Sequence, residues 1–351
     1  MENITAVGID LSKNVMHLHG INHTGRGILR KKVLRARFLE ELVKLPAGTK
    51  LFMEACSGAH YWCNQIEKLG YQARQIDGRA VRRYVKSQKN DFRDAEAIAE
   101  ASTREHINFV TTKSVEQLEL QAIQRVRERL IKNRTALSNE IRGFLTELGI
   151  VLPKSISQLA HYLQRRAYLE DERVTATFSA IISELSEELN ELNTRVSRIE
   201  SSLNERAKAM PVVKRLQSVP GIGPITAISL VAAFGNAAQF KNGRHLAAAC
   251  GLVPRQHSTG GKTSLGSITK RGNSHIRCLV IHGARNLARY ATAKKKCDKQ
   301  SLWIRKLHAA KGTNLTAVAV ANKNVRIAFH ILRNADTWFD ADRAHDSDLI
   351  Q

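Results

Sequence analysis

Four acidic residues in the first hundred positions have types and spacings that suit metal-assisted chemistry. Asp10 and Glu54 each lie within or at the end of a short apolar run, where an unpaired carboxylate is costly. Asp91 and Asp94 are three residues apart, which places them on one face of a helix. Four converging carboxylates repel one another unless a cation lies between them. The set therefore predicts a site for Mg²⁺ or Mn²⁺, which prefer hard oxygen ligands and can assist phosphodiester cleavage.

Each acid also has a purely structural interpretation. Asp91 suits the N-cap of a helix over residues 92–104, in which Asp94 would be favoured by the helix dipole. Asp10 alone is compatible with a turn. The occurrence of all four in one strongly basic chain favours the metal site over these separate explanations.

A Pro-Gly-Ile-Gly sequence at 220–223 is typical of the turn in a helix-hairpin-helix unit. Gly221 and Gly223 leave backbone N–H groups unshielded, and the start of the following apolar helix attracts a phosphate. The motif predicts a contact with a nucleic-acid backbone and carries no information about base sequence. A plain turn between two helices is the alternative.

A third segment places two hydroxyl groups beside a pair of glycines. Ser258 and Thr259 precede Gly-Gly, and His257 and Lys262 flank them. Glycines allow close approach to a ligand, and basic neighbours can hold a phosphate or activate a hydroxyl. By spacing alone the signal is weak, because such segments are usually ordinary loops. The basic residues here that we expect to contact nucleic acid are Arg255, Lys262, Lys270, Arg271 and Arg277.

Composition narrows the class of partner. The 351 residues include 55 Lys and Arg against 32 Asp and Glu, a net charge of +23. Residues 251–311 hold fourteen of the basic residues and a single acid, Asp298. Such concentrated charge marks a binding surface, with nucleic acid the leading partner and a membrane surface the weaker one.

Other classes of protein are disfavoured. No apolar run reaches the ~18 residues of a membrane span, and the first residues lack the pattern of a secretory signal. The five cysteines are scattered without Cys-x-x-Cys spacing, which argues against a zinc ribbon or disulfide scaffold and favours a reducing cytoplasm. In a bacterium, such a protein would be associated with the nucleoid.

The elements that must position these residues follow from hydrophobic spacing. Strands predicted first as hairpins, then alternating with helices, give an α/β layer with a mixed sheet. We expect strands over 4–22 (two strands), 28–34, 50–55 and 71–76, and helices over 38–45, 59–69, 79–87 and 91–104.

Residues 115–208 have a different, helical pattern. A heptad seam runs along Leu185, Leu189, Leu192, Val196, Ile199 and Leu203. An earlier helix over 115–148 is its candidate partner, separated from it by a break at Pro153. The pair is either an antiparallel hairpin within the chain, serving as a spacer, or a dimerising coiled coil.

The order of these motifs resembles that of the DEDD transposases of bacterial insertion sequences, a family related to the Piv DNA invertases that includes bridge-RNA-guided recombinases. The resemblance covers about residues 4–335. It implies four regions: a RuvC-like catalytic domain with an RNase H fold (1–108), a coiled-coil or helical linker for oligomerisation (109–210), a mainly helical transposase domain with the helix-hairpin-helix (211–335), and a flexible tail (336–351).

The resemblance also implies roles for particular residues. Asp10, Glu54, Asp91 and Asp94 match the family's Mg²⁺-binding tetrad. A family serine that forms a covalent link to DNA matches Ser258 by residue type, or Thr259 when the glycines are aligned. The family further implies a composite active site formed by two subunits of a dimer or tetramer. It also implies double-stranded donor and target DNA, and a structured non-coding guide RNA.

Three other functions remain open at this stage. A RuvC-like nuclease would use water as the nucleophile in place of Ser258. An actin-like kinase also begins with Gly-Ile-Asp and a hairpin, although a second phosphate-binding glycine turn is missing from the sequence. A non-enzymatic nucleic-acid-binding module would use the carboxylates only structurally.

Overall fold

The computed structural model describes residues 4–85, 90–107, 109–293 and 298–340. The chain divides into two compact units, Met1–Val115 and Glu116–Gln351. The second unit thus takes in the predicted transposase domain and the predicted linker from residue 116 onward, while residues 109–115 belong to the first unit. Residues 341–351 of the predicted tail, residues 86 and 87 of one predicted helix, and Cys297 lie outside the described residues.

The first unit is built on a six-stranded sheet with the order β3-β2-β1-β4-β5-β6. The central strands β1, β4 and β5 are parallel to one another, and the other pairings are antiparallel. The sequence predicted a mixed sheet but not β6, whose residues it assigned to the linker. The observed sheet is compatible with an RNase H-like domain. The strands are β1 (Ala6–Asp10), β2 (Val15–Ile21), β3 (Gly27–Leu34), β4 (Lys50–Glu54), β5 (Gln72–Ile76) and β6 (Phe109–Val110).

Helices cover both faces of this sheet, and the alternation of side chains along a strand decides which face each residue joins. Val7 and Ile9 of β1 pack with α1 and α2, whereas Gly8, between them, meets α4. Phe52 of β4 likewise packs with α4. The helices of this unit are α1 (Phe38–Leu42), α2 (Ala59–Lys68), α3 (Gly78–Val81) and α4 (Asp91–Ser102).

The second unit begins with two long helices, α5 (Val115–Glu147) and α7 (Ala176–Ala209), with α6 (Ile156–Gln164) between them. Arg206 of α7 pairs with Glu119 at the start of α5, and Glu200 pairs with Arg127 further along, so the two helices run antiparallel. The seam residues Leu189, Leu192 and Val196 are buried in one cluster with α5 and α6. These three seam residues are therefore covered by α5 and α6 within the chain.

The remaining helices enclose a second apolar core. Ile228 and Leu230 are fully buried there, among residues from every one of the helices that follow α7. Gly312 interrupts α12 with a left-handed backbone, which divides it into two segments. The helices are α8 (Pro211–Gln217), α9 (Pro224–Phe234), α10 (Gly243–Ala249), α11 (Ser274–Ala293) and α12 (Lys299–Arg333).

One two-stranded hairpin departs from this helical pattern. Strands β7 (Pro254–Thr259) and β8 (Lys262–Ile268) pair antiparallel between α10 and α11. The sequence pattern predicts a loop here, since the segment lacks the apolar alternation that marks a half-buried strand, and the structure shows that this prediction is wrong. Nearly every residue of the hairpin is exposed, so no apolar face was needed. Among the described residues, no helix is long and apolar enough to cross a membrane.

Candidate functional site

Three carboxylates lie at the carboxyl ends of the three parallel strands. Asp10 is the last residue of β1 and Glu54 is the last residue of β4, while Asp77 directly follows β5. Because β4 lies between β1 and β5 in the sheet, these ends meet at one edge. Residues at alternate positions share a face, so Asp10 is on the face of Gly8 and Glu54 is on the face of Phe52, the side covered by α4.

Helix α4 brings Asp91 and Asp94 to the same edge. A Cβ built on Gly8 would stand 2.3 Å from the carbonyl oxygen of Ala95, so α4 rests directly on the backbone of β1. Both aspartates lie in the first turn of this helix, where its dipole favours negative charge. The N-cap is Asn90, whose side chain accepts a hydrogen bond from Phe92 N at 3.0 Å. The structural alternative that made Asp91 the N-cap was therefore wrong by one residue.

The five carboxylates line one open cavity of about 810 Å³. Within it, the Glu54 side chain lies across the backbone of Gly78, where an added Cβ would be 2.2 Å from Oε1. Burial raises the pKa of the Cys56 thiol, and the negative charges of Glu54 and Asp10 raise it further. The acidic residues lining the cavity are Asp10, Glu54, Asp77, Asp91 and Asp94.

Asp77 is the carboxylate that sequence reasoning missed. Its position directly after a predicted strand, like that of Asp10 and Glu54, was the available signal. In the structure Asp77 has a structural role as the N-cap of α3, because its Oδ1 accepts a hydrogen bond from Arg79 N at 2.8 Å. The Arg79 guanidinium lies 3.8 Å from the same oxygen.

The donor set suits a hard divalent cation, since all five acidic side chains offer only oxygen ligands. They line the cavity, but they do not converge on a single position. Within the described residues, no three or more His, Cys, Asp or Glu side chains are close enough together to coordinate one metal ion. Binding a cation here would therefore draw the carboxylates inward. Asp91 has room for this movement, because its side chain is 61% exposed.

The second candidate group lies in the other unit, on the exposed hairpin (residues 254–268). Ser258 stands opposite Thr263, and Thr259 stands opposite Lys262 beside the turn. The Ser258 hydroxyl accepts a hydrogen bond from Gln256 Nε2 at 2.9 Å. Gly260 and Gly261 both have positive φ, at 55° and 77°, as a two-residue hairpin turn requires. The two hydroxyls are thus presented to solvent at the tip of a tight hairpin.

The base of the exposed hairpin is held by close backbone contacts. A Cβ on Gly251 would meet the Arg271 carbonyl at 2.1 Å, and one on Gly272 would meet the Ala249 carbonyl at 2.0 Å. Half-buried Arg277 donates to the Cys250 carbonyl at 3.2 Å, so part of its guanidinium stabilises the fold. The other predicted basic contacts are exposed: Arg255, Lys262, Lys270 and Arg271.

The Pro-Gly-Ile-Gly turn joins α8 to α9, and one side of it is covered. Gly221 has φ of +90° and touches α11, where a Cβ on Gly283 would stand 1.9 Å from the Gly221 carbonyl. Asn324 of α12 donates to the Pro220 carbonyl at 2.8 Å. Gly223 remains exposed at the N-terminus of α9. Its side of the turn is the one available to a ligand.

Comparison with known families matches two parts of the chain. Residues 7–150 match a DEDD-type family model described as a transposase. Residues 213–298 match the model of the IS116/IS110/IS902 transposase family. The first match holds the carboxylates, and the second holds the exposed hairpin and the Pro-Gly-Ile-Gly turn.

Several curated proteins are similar over most of their length. A probable family 20 transposase of Pseudomonas aeruginosa is 40% identical over 331 residues, covering 94% of this chain and 97% of the relative. The transposase for insertion sequence element IS1111A of Coxiella burnetii is 40% identical over 96% of this chain and 92% of its own. A pilin gene-inverting protein of Moraxella bovis is 26% identical over 73% of this chain and 74% of its own.

Proposed function

Because the chain belongs to the IS116/IS110/IS902 family of transposases, enzymes that cleave and rejoin DNA, we propose that it recombines the DNA of an insertion sequence through a covalent protein–DNA intermediate. The observation that carries the proposal is the shared cavity of Asp10, Glu54, Asp91 and Asp94. The helix dipole favours Asp91 and Asp94 singly, but it does not require Asp10 and Glu54 beside them, whereas phosphodiester chemistry with a divalent cation uses such a set.

Asp10, Glu54, Asp91 and Asp94 would hold the cation, Mg²⁺ or Mn²⁺. When bound, it supplies stabilisation for negative charge on the attacking and leaving oxygens of the phosphodiester. The protein's own contribution is to keep these carboxylates on one edge, which β1, β4 and the contact between Gly8 and α4 achieve.

Ser258 is the proposed nucleophile. Its Oγ forms a bond to the DNA phosphorus while the bond from phosphorus to a deoxyribose oxygen breaks. The hydroxyl proton leaves the serine, and the departing oxygen is protonated. In the rejoining step, a deoxyribose hydroxyl attacks the phosphoserine and releases the serine hydroxyl. The primary hydroxyl of Ser258 is less hindered than the hydroxyl of Thr259, whose side chain is β-branched. Thr259, the next residue, is the alternative nucleophile.

The basic surface supports the binding of nucleic acid to the second unit. Arg255, Lys262, Lys270 and Arg271 are exposed on and beside the hairpin, where they can neutralise phosphates near Ser258. Gly221 and Gly223 belong to the turn that we assign to a DNA backbone contact. We further infer a dimer or tetramer in which the carboxylates of one subunit act with the serine of another, and a structured non-coding RNA that pairs with donor and target DNA.

The test is to mix the purified protein with element DNA, Mg²⁺ and the RNA that accompanies it in cells, and to separate the products on a denaturing gel. We expect a protein–DNA adduct whose digested peptide carries the nucleotide on Ser258. The adduct should be lost in Ser258→Ala and retained in Thr259→Ala, the matched control. Recombination that survives both changes would contradict the nucleophile assignment. Free DNA ends without any adduct would favour a nuclease that uses water.

The guide RNA has a separate test. Nucleic acid that copurifies with the protein from cells is sequenced, and we expect one discrete non-coding species encoded by the element. A random mixture of cellular RNA would contradict an RNA-guided mechanism while leaving the cleavage chemistry untouched.

A further inference from the structure

A buried histidine lies beside two of the proposed metal-binding carboxylates. His17, in the middle of the sheet on β2, is directly opposite Asp10 in the β1–β2 ladder. Opposite residues of an antiparallel pair share a face, with their Cβ atoms about 4.5–5.5 Å apart. His17 is therefore on the α4 side of the sheet with Asp10, and it is only 6% exposed.

The ring of His17 is fixed by contacts with the first turn of α4. It meets the Phe92 ring edge-on, with centroids 4.6 Å apart. The Arg30 guanidinium lies 4.3 Å from the Phe92 ring centroid. Phe92 thus packs between residues of β2 and β3, and this packing holds the start of α4 against the sheet. Asp91 precedes Phe92 in sequence and is therefore placed next to His17.

One ring nitrogen of His17 is left without a partner. Nδ1 is buried and has no hydrogen bond to any of the described residues. Asp91 Oδ2 lies 3.8 Å from it, beyond the 3.2 Å limit of an ordinary N–H···O bond. A buried nitrogen left unpaired is destabilising, so the protein gains stability when that gap closes. Because Asp91 is largely exposed, its side chain can make the necessary movement.

We propose that His17 is a positioning residue that holds Asp91 in the metal-loaded protein. Its Nδ1–H donates to Asp91 Oδ2 and directs the second oxygen of that carboxylate into the cavity beside Asp10. This inference rests on the proposed function, because it requires a cation at the carboxylates. Carboxylates that ligate metals are themselves hydrogen-bonded as a rule, and losing such a partner typically lowers metal affinity about 10–100-fold.

The test measures Mn²⁺ binding to the full-length protein by electron paramagnetic resonance, without DNA. His17→Phe keeps the ring volume and removes the donor, so we expect Mn²⁺ affinity to fall about 10–100-fold. His17→Asn places an amide N–H near the position of Nδ1, and it should restore most of that affinity. His19→Phe is the matched control, since His19 lies two residues along the same strand and lines a different cavity. It should bind Mn²⁺ as the wild type does.

A second readout covers the case in which His17→Phe does not fold. Nitrogen-15 NMR of the wild-type imidazole should show a hydrogen-bonded Nδ1–H signal that emerges on titration with Mg²⁺. Ring signals that stay unchanged at saturating Mg²⁺ would overturn the proposal. So would wild-type Mn²⁺ affinity in a folded His17→Phe, or equal losses in the Phe and Asn variants.

Asp10→Asn separates this inference from the proposed function. If Asp10→Asn abolishes Mn²⁺ binding and His17→Phe does not change it, the positioning role fails and the metal site stands. If Asp10→Asn leaves Mn²⁺ binding unchanged, the metal site itself is wrong, and the role of His17 falls with it.

Discussion

The backbone of Gly8 lies against the carbonyl oxygen of Ala95 so closely that a Cβ on Gly8 would be 2.3 Å from it. The same Cβ would also be 2.5 Å from Ala99 N. Both contacts are with the backbone of α4, which cannot rotate away as a flexible side chain can. The absence of one methyl group thus sets the height of α4 above β1, and with it the position of Asp91 and Asp94.

Gly8→Ala should therefore lift α4 from the sheet. We expect the free energy of unfolding to fall by about 1–3 kcal/mol, the usual cost of overpacking, and Mn²⁺ affinity to fall with it because the aspartates move. Gly143→Ala in α5 is the matched control: its Cβ would meet no described atom outside the local backbone of its own helix within 4 Å, so this variant should lose no stability. Chemical denaturation measures both variants, and an unchanged unfolding midpoint in Gly8→Ala would contradict the close contact.

The covered heptad seam makes a prediction about assembly. Leu189 is 1% exposed within the chain, so Leu189→Ala should lower the free energy of unfolding by about 2–5 kcal/mol, a typical cost for a buried leucine. Oligomeric mass, measured by light scattering, should not change. Ile181→Ala on the same helix, where the side chain is 39% exposed, should cost much less. A shift in mass for Leu189→Ala alone would show that the seam joins two chains.

The exposed hairpin should depend on its turn and contribute little to global stability. Gly261 has φ of 77°, which costs other residues about 1–2 kcal/mol and is worst for β-branched ones. Gly261→Val should weaken the pairing of Ser258 with Thr263, visible as lost cross-strand NMR contacts, without lowering the global melting temperature. Adduct formation should fall in parallel. Asn tolerates this backbone conformation, so Gly261→Asn should retain both the strand pairing and the adduct formation. If Gly261→Asn loses as much of either as Gly261→Val does, the position requires glycine itself.

Lys323 should make the free energy of unfolding depend on pH in the alkaline range. Partial burial, followed by the positive charge of Arg326, lowers the pKa of Lys323 to about 8. Its ammonium lies 4.7 Å from the ring centroid of Trp303. Between about pH 8 and the ordinary lysine pKa of about 10.5, the folded protein holds this amine neutral while the unfolded chain protonates it. Unfolding then takes up a proton, so stability should rise with pH across this window.

Denaturation at several pH values checks this rise. Lys323→Met should remove it, and Lys306→Met, at an exposed position of the same helix, should leave it in place. Carbon-13 NMR of the lysine side chains offers a direct measurement, in which one resonance assigned through Lys323→Met titrates near pH 8. A rise of equal size in Lys323→Met would rule out this residue as its source.

The sequence by itself determined the local part of the site. Apolar runs that end in Asp10 and Glu54 predicted two strands with carboxylates at their ends, because strand periodicity is a property of neighbouring residues. The spacing of Asp91 and Asp94 placed both on one helix face for the same reason. Charge, which is additive along the chain, predicted a nucleic-acid partner for residues 251–311.

Tertiary structure alone decided what these local features meet. Only the strand order makes β1, β4 and β5 neighbours and adds Asp77 to the cavity, since pairing between strands far apart in sequence leaves no local pattern. A heptad seam fits a partner helix from either chain equally well, and only the tertiary structure shows Leu189, Leu192 and Val196 buried together with residues of α5. The contacts of His17 with Phe92 and Asp91 likewise depend on the packing of α4 against the sheet, which no local pattern around His17 shows.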